Sequence, residues 1–170
     1  MKVFVGGYKG VSPVSVLIKG ATWSPYSHVS LIRDDGAAIE SWHRGGVQSV
    51  ATPFTLHTLG TVVDLFELNY PKEYHQNVWD SALQKVGAEY DFRALAGFIP
   101  CLRWLWKDNP NRWFCSHQIA DDCSVDGFYR LFNNTTPTYK MSPGFVLSSP
   151  WLEKLGSMQS MMEFRGMVNG

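Results

Sequence analysis

Charge of one sign is not in excess: fifteen lysines and arginines face fifteen aspartates and glutamates in 170 residues, a formal net charge of zero. That balance removes the electrostatic reason to expect nucleic acid or an anionic membrane surface as partner. Cysteine is scarce. Cys101, Cys115 and Cys123 cannot all pair and fall far short of a small secreted scaffold, so they read as reduced thiols. Long hydrophobic runs are missing too, and no window nears the roughly 18 uninterrupted apolar residues that a membrane span needs. The apolar run 14–18 is bracketed by Pro13 and Lys19 with no small-residue cleavage pattern after it, unlike a secretory leader. A cytoplasmic protein is expected, with action outside the cell by lysis or injection left open. Repeats, low-complexity tracts and linkers are absent, which leaves a single domain over 1–170. No cofactor is expected.

What is present is apolar and aromatic material, 45% and 14% of the residues, enough for one sizeable core. The pattern that carries it mixes strands and helices, an α+β arrangement. Residues 2–5 read as a short opening strand ended by Gly6-Gly7. Ser12-Pro13 looks like a helix cap with proline at the first helical position, giving a helix over 14–21. Residues 27–33 and 37–42 are strand-like runs joined by Asp34-Asp35-Gly36, a hairpin. Residues 61–68 form the most β-prone run. A long amphipathic helix is expected over 72–86 with Tyr74, Val78, Leu83 and Val86 as its core stripe, and a second short one over 90–98. Pro150-Trp151-Leu152 suggests a helical turn, and residues 161–170 an edge strand or loose tail.

The chemistry centres on Trp113-Phe114-Cys115-Ser116. Cys115, Ile119 and Cys123 recur at four-residue spacing, which puts the Cys115 thiol on the packed face of a helix at its first turn. There the free N–H groups and the positive end of the helix dipole favour a thiolate, the form that acts as nucleophile. On base rates such a cysteine is a small apolar filler, so a base elsewhere in the chain decides the matter. His117, two positions on, points to another side of the helix, and His57 and His75 have no neighbouring motif. His28 opens a strand. With a three-residue turn at 34–36 and Gly36 left-handed, Arg33 faces Ala37, and His28 and Glu40 become diagonal neighbours on one face. A two-residue turn at 35–36 would shift the register by one and bring His43 opposite His28 instead. Both registers remain open at this stage, the first being favoured. A metal site from Cys115, His117 and Cys123 matches no familiar zinc spacing, and no metal is expected.

These residues resemble a known family. Ser27-His28-Val29, the hairpin with Ile39-Glu40, Gly45-Gly46-Val47, Tyr90-Asp91-Phe92 and Trp113-Phe114-Cys115-Ser116 follow the order of the circularly permuted, YiiX-like branch of the NlpC-type papain-like cysteine hydrolases. The resemblance spans residues 2–123. It implies a permuted papain-like fold, with an antiparallel sheet packed on a helix that carries the cysteine at its N-terminus. It implies Cys115 as nucleophile, His28 as base and Glu40 as orienting residue of a thiol hydrolase: a cysteine peptidase or amidase acting on a peptide, amide or acyl substrate, with a cell-wall peptide the family-typical case. Tyr26, Tyr90 and Trp113 are candidate wall or oxyanion residues, and Trp23, Trp42, Trp104, Trp106 and Trp113 candidate groove residues. His117 departs from the family, which commonly has an acidic residue there. Two alternatives stand beside the amidase: an acyltransferase or acyl hydrolase of the lecithin-retinol-acyltransferase kind, and an inactive binding module on the same fold.

Overall fold

The structure, a computed structural model, describes residues 1–105, 107, 109–124, 129–132 and 136–169. The expectations touching Trp106, Asp108, Val125, Gly127 and Asn133-Asn134 lie outside the described residues.

Eight strands and six α-helices follow one another among them: β1 (Val3–Lys9), α1 (Pro13–Thr22), β2 (His28–Arg33), β3 (Ala38–Trp42), β4 (Gly46–Val50), β5 (Val62–Leu68), α2 (Lys72–Gln84), β6 (Glu89–Tyr90), α3 (Phe92–Ala96), β7 (Arg112–Trp113), α4 (Cys115–Asp122), α5 (Pro143–Leu147), β8 (Leu152–Met158) and α6 (Met161–Asn169). Six strands make an antiparallel sheet in the order β4-β3-β2-β1-β5-β8, and β6 and β7 pair in parallel at one side.

Alternation along the strands sorts side chains to two faces. Val3, Val5, Val29, Leu31 and Ile39 pack with Val78, Trp79, Ile119 and Cys123, so α2 and α4 cover one face. Phe4, Tyr8, Ile32, Ala38, Val63 and Leu65 pack with Met158 and Phe164 on the other. The architecture is thus α+β, with a cysteine-led helix lying on an antiparallel sheet.

The hairpin β2–β3 takes the three-residue turn. Leu31 pairs Ile39, Ile32 pairs Ala38, and the Arg33 N–H donates to the Ala37 carbonyl at 2.8 Å. Gly36 has φ +93°, the left-handed geometry the bulged turn requires. Ser12 caps α1, its hydroxyl accepting from the Ser15 N–H at 3.2 Å, and Asp91 caps α3 by accepting from the Ala94 N–H at 2.9 Å.

Three expectations are corrected and one is narrowed. β1 runs through Gly6-Gly7 rather than stopping there. Its glycines answer to close packing, since a Cβ on Gly7 would lie 2.4 Å from Leu147 Cδ1 and 3.1 Å from the Tyr26 ring. The buried stripe of α2 is His75, Val78, Trp79 and Ala82, while Leu83 and Val86 are exposed, because the helix ends at Gln84 with a different face inward. The turn expected at Pro150-Trp151-Leu152 is a single one, closed by the Leu152 N–H donating to the Ser149 carbonyl at 3.1 Å, and it leads at once into strand β8, which pairs with β5, rather than into a helix. Residues 161–169 form a helix, not an edge strand or loose tail: Phe164 is fully buried with its ring edge-on to Phe4 at 6.2 Å. No helix among the described residues is long and apolar enough to cross a membrane.

Candidate active site

Backbone hydrogen bonding fixes where the thiol sits. The Trp113 carbonyl accepts from the Ser41 hydroxyl at 2.6 Å and from the Asp91 N–H at 3.1 Å, so β3 and the start of α3 hold the chain just before α4. Phe114 is fully buried, and Cys115 begins α4 at 2% exposure. The Ser116 hydroxyl donates to the Met141 carbonyl at 2.7 Å, pinning the first turn from the far side. Because the first four N–H groups of a helix lack intrahelical acceptors, donors converge where the sulfur lies.

His28, the first residue of β2, joins the thiol to a carboxylate. Its Nε2 is 2.7 Å from Glu40 Oε2, which leaves Nδ1 free to face elsewhere, and the Cys115 sulfur is close enough to act electrostatically on the ring. The Cys115 sulfur further accepts from the Val29 and Ser116 N–H groups. Burial pushes the Cys115 thiol up, but the positive His28 ring and these hydrogen bonds outweigh it and hold the thiol below its ordinary value. Burial pushes His28 down, and the Cys115 thiolate and Glu40 carboxylate outweigh that in turn, raising it to about 10. Burial would raise Glu40, yet donation from His28 and His57 lowers it to about 2. The three shifts run one way, each favouring the charged form of its group over its ordinary balance: thiolate, imidazolium and carboxylate.

His57 is the residue sequence reasoning missed. Its Nε2 lies 2.9 Å from the same Glu40 Oε2, and its ring stacks on Tyr8 with centroids 3.9 Å apart. Burial and the nearby His28 charge lower its pKa against the pull of Glu40, so a neutral ring donates Nε2–H to the carboxylate. The loop 51–61 that delivers His57 has no periodicity, and only its aromatic and histidine content beside a strand carried a signal. Glu40 Oε1, also buried, has no hydrogen-bond partner among the described residues.

The remaining candidates separate. Trp42 faces His28 at 5.3 Å and, with Tyr90 and His43, lines a cavity of about 380 Å³ that opens onto the His28 ring. Burial, then the charges of Cys115 and Asp91, keep the Tyr90 phenol protonated and a donor. Tyr26 is corrected: its hydroxyl donates to Asp64 Oδ2 at 2.7 Å and its ring packs over Gly7, away from the cavity lining. Trp113 is also corrected, since its buried ring lies against His117 at 4.4 Å and under the Lys85 ammonium at 4.4 Å and does not line the cavity. Trp23 is 95% exposed and Trp104 71%, so neither walls it. His117, two positions beyond the cysteine, is buried at 2%. His75 is a structural tie, its Nδ1 accepting from the Val3 N–H at 2.9 Å and its Nε2 donating to the Tyr70 carbonyl at 3.1 Å. Cys101, Cys115 and Cys123 are free cysteines.

An α+β fold that sets a cysteine-headed helix against a histidine strand is the class defined by this arrangement. Among solved structures the chain is similar to metalloprotein YiiX from Escherichia coli O157:H7, with a TM-score of 0.68 over 94% of this chain and 98% of that one at 18% identity. At that identity the likeness speaks for the fold. No family model and no curated protein sequence matches the chain.

Proposed function

We propose that the protein is a permuted papain-like thiol hydrolase that cleaves an amide or related acyl bond through Cys115, His28 and Glu40. The observation that supports this most is the buried His28 imidazole, held by Glu40 Oε2 at 2.7 Å and coupled in charge to the Cys115 sulfur, in a chain where 87 positions separate thiol and base.

In this reading the Cys115 thiolate attacks the acyl carbon. N–H groups of the first turn of α4, Cys115 N–H among them, receive the oxyanion. The imidazolium of His28 gives its proton to the leaving amine or alcohol, and the acyl group stays on sulfur as a thioester. Water then attacks that carbon while His28 takes its proton, the thiolate departs, and the acid is released. Glu40 keeps the imidazole oriented and its charged form stable, with His57 holding Glu40 in turn. Trapping of an acyl group on Cys115, read by intact mass with a p-nitrophenyl ester, tests the proposal. Adduct in wild type and none in Cys115→Ala or His28→Ala, both folded, is expected; adduct formation unchanged in His28→Ala contradicts it.

A second reading has one observation behind it. The ligand atoms of His28, Glu40 and His57 lie within 4.8 Å of one another, and the similar E. coli protein is described as a metalloprotein. Two imidazoles and a carboxylate, one of whose oxygens lacks a partner, form a donor set that a divalent ion such as zinc accepts. His28, Glu40 and His57 would hold it, and it would supply Lewis-acid polarisation or a lowered-pKa water there. Stoichiometric zinc on the purified protein, lost in His57→Ala, favours this reading; acylation of Cys115 that survives chelator treatment favours the thiol one.

A further inference from the structure

Along residues 90–93 the chain divides its side chains between two hollows. Tyr90 and Phe92 line the cavity at His28, whereas Asp91 and Arg93 line a separate one of about 310 Å³. Lys107 and Asn109 of the loop before β7, Arg112 of β7 and Trp104 of the helical turn Pro100–Leu105 complete the second hollow. Three cations from three segments thus meet at one place in a chain whose formal net charge is zero. The size is that of a small-molecule site, a range that starts at roughly 300 Å³.

Two of these cations are left without the partners that others have. Lys2, Lys9, Arg33, Lys85 and Lys154 each sit on a carboxylate. Arg93 and Lys107 have no ion pair or side-chain hydrogen bond among the described residues. Arg112 pairs with Glu89 at 2.7 Å, but both side chains are largely in water, at 44% and 70% exposure, so the pair is weak and Glu89 yields to a stronger acceptor. Asp91 is the acidic residue of the lining. It is buried, and its Oδ1 is already engaged by the Ala94 N–H at 2.9 Å. Asn109 Oδ1 accepts from the Asn111 N–H at 3.0 Å, which leaves the Asn109 amide N–H groups as donors. Two guanidinium groups, an ammonium and an amide suit the several oxygens of a phosphate better than the two of a carboxylate. Trp104, 71% exposed at the rim, offers an open ring face.

We propose that this hollow binds a phosphate monoester, with the phosphate held by Arg93, Lys107 and Arg112 and the ring that carries it laid on Trp104. Nucleotides and sugar phosphates share that chemistry. The site stands apart from the thiol-hydrolase reading, because none of its residues belongs to the set of Cys115, His28 and Glu40 and no bond is made or broken in it. What it shares with the cavity at His28 is the segment 90–93.

The test is calorimetric titration of the full chain at low salt with AMP, glucose-6-phosphate, inorganic phosphate and, as a carboxylate control, the dipeptide Asp-Glu. Both esters are expected to bind with Kd below about 1 mM and more tightly than inorganic phosphate, and the tighter of the two identifies the ring. Arg93→Gln and Lys107→Gln change exposed positions and leave the fold intact. Each should weaken all three phosphate ligands by about tenfold or more, the scale of one charge-assisted hydrogen bond. Trp104→Ala should weaken the esters by about tenfold and spare inorganic phosphate. Lys72→Gln, which removes an exposed charge on α2, should change nothing. The same titrations on Cys115→Ala should match wild type, so the outcome is read whether or not the thiol chemistry holds. Absence of saturable binding for every phosphate ligand overturns the proposal. An equal loss in Lys72→Gln overturns it as well, since the attraction would then be diffuse, and so does Asp-Glu binding as tightly as the esters. Esters unmoved by Trp104→Ala overturn the ring contact.

Discussion

Two carboxylates are buried to zero side-chain exposure in this sheet, Glu40 on β3 and Asp64 on β5, and they are treated oppositely. Asp64 is saturated with fixed donors: Lys9 at 2.8 Å, Lys154 at 2.6 Å, the Ser157 hydroxyl at 2.6 Å and the Tyr26 hydroxyl at 2.7 Å, spread over both oxygens. Burial works against its charge, and those donors hold its carboxyl far below the usual range. Glu40 is held through Oε2 alone, by two imidazoles, with Oε1 left over. A carboxylate clamped by cations that stay charged at all working pH values ties strands together. One clamped by two titratable rings, the first of which is coupled to a sulfur, has partners whose own charge changes with pH, as the proposed proton transfer requires.

Substitutions on each side sharpen that contrast. Cys115→Ala and His28→Ala are expected to lower kcat/KM for an acyl ester by about a thousandfold or more with near-wild-type circular dichroism, since the members of such a unit fail together. Glu40→Gln follows with a loss on the order of a hundredfold, carried by kcat. Asp64→Asn is the mirror case. It should lower stability by roughly 2–4 kcal/mol, below the range for fully buried pairs because both lysines are partly in water, while the acylation rate of the folded fraction is unchanged. If Asp64→Asn silenced the chemistry and Glu40→Gln only softened the fold, the comparison would be inverted.

His57→Ala is expected to cost about tenfold in kcat, the usual scale for a group that orients a catalytic one. It should also move the acid limb of the rate upward, because Glu40 loses a donor and its pKa rises. A smaller effect is thermodynamic. The folded Glu40 value of about 2 lies below that of an unfolded carboxylate, so its contribution is full above the unfolded pKa and is lost as pH falls toward 2. Urea midpoints of wild type and Glu40→Gln should therefore converge as pH is lowered through that window. Parallel curves would show that Glu40 is not held by these hydrogen bonds.

Much of this was legible before any coordinates. Four-residue spacing placed Cys115 on the inner face of α4, and Asp34-Asp35-Gly36 pointed to the bulged turn that sets His28 near Glu40 rather than His43. Both depend on local rules. What escaped depends on long-range packing. His57 arrives on an irregular loop whose path no periodicity encodes. The inner face of α2 turned on where that helix stops. The last segment, rich in methionine and glycine, looked loose, yet Phe164 closes the second core and the Met161 methyl lies against Gly36, where a Cβ would stand 2.3 Å away. Tyr26 and Trp113 sit close to the key residues in sequence, but Asp64 claims the hydroxyl of one, while Lys85 and His117 cover the ring of the other.

The central claim is an ion pair between a sulfur and a ring, and the ultraviolet absorbance of the thiolate, taken as the difference between wild type and Cys115→Ser across pH, tests it most directly. The account expects the Cys115 thiolate to persist to pH values well below the ordinary thiol pKa of about 8.5, and His28→Ala to move its midpoint upward. A wild-type midpoint at or above that ordinary value, unmoved by loss of His28, would contradict it.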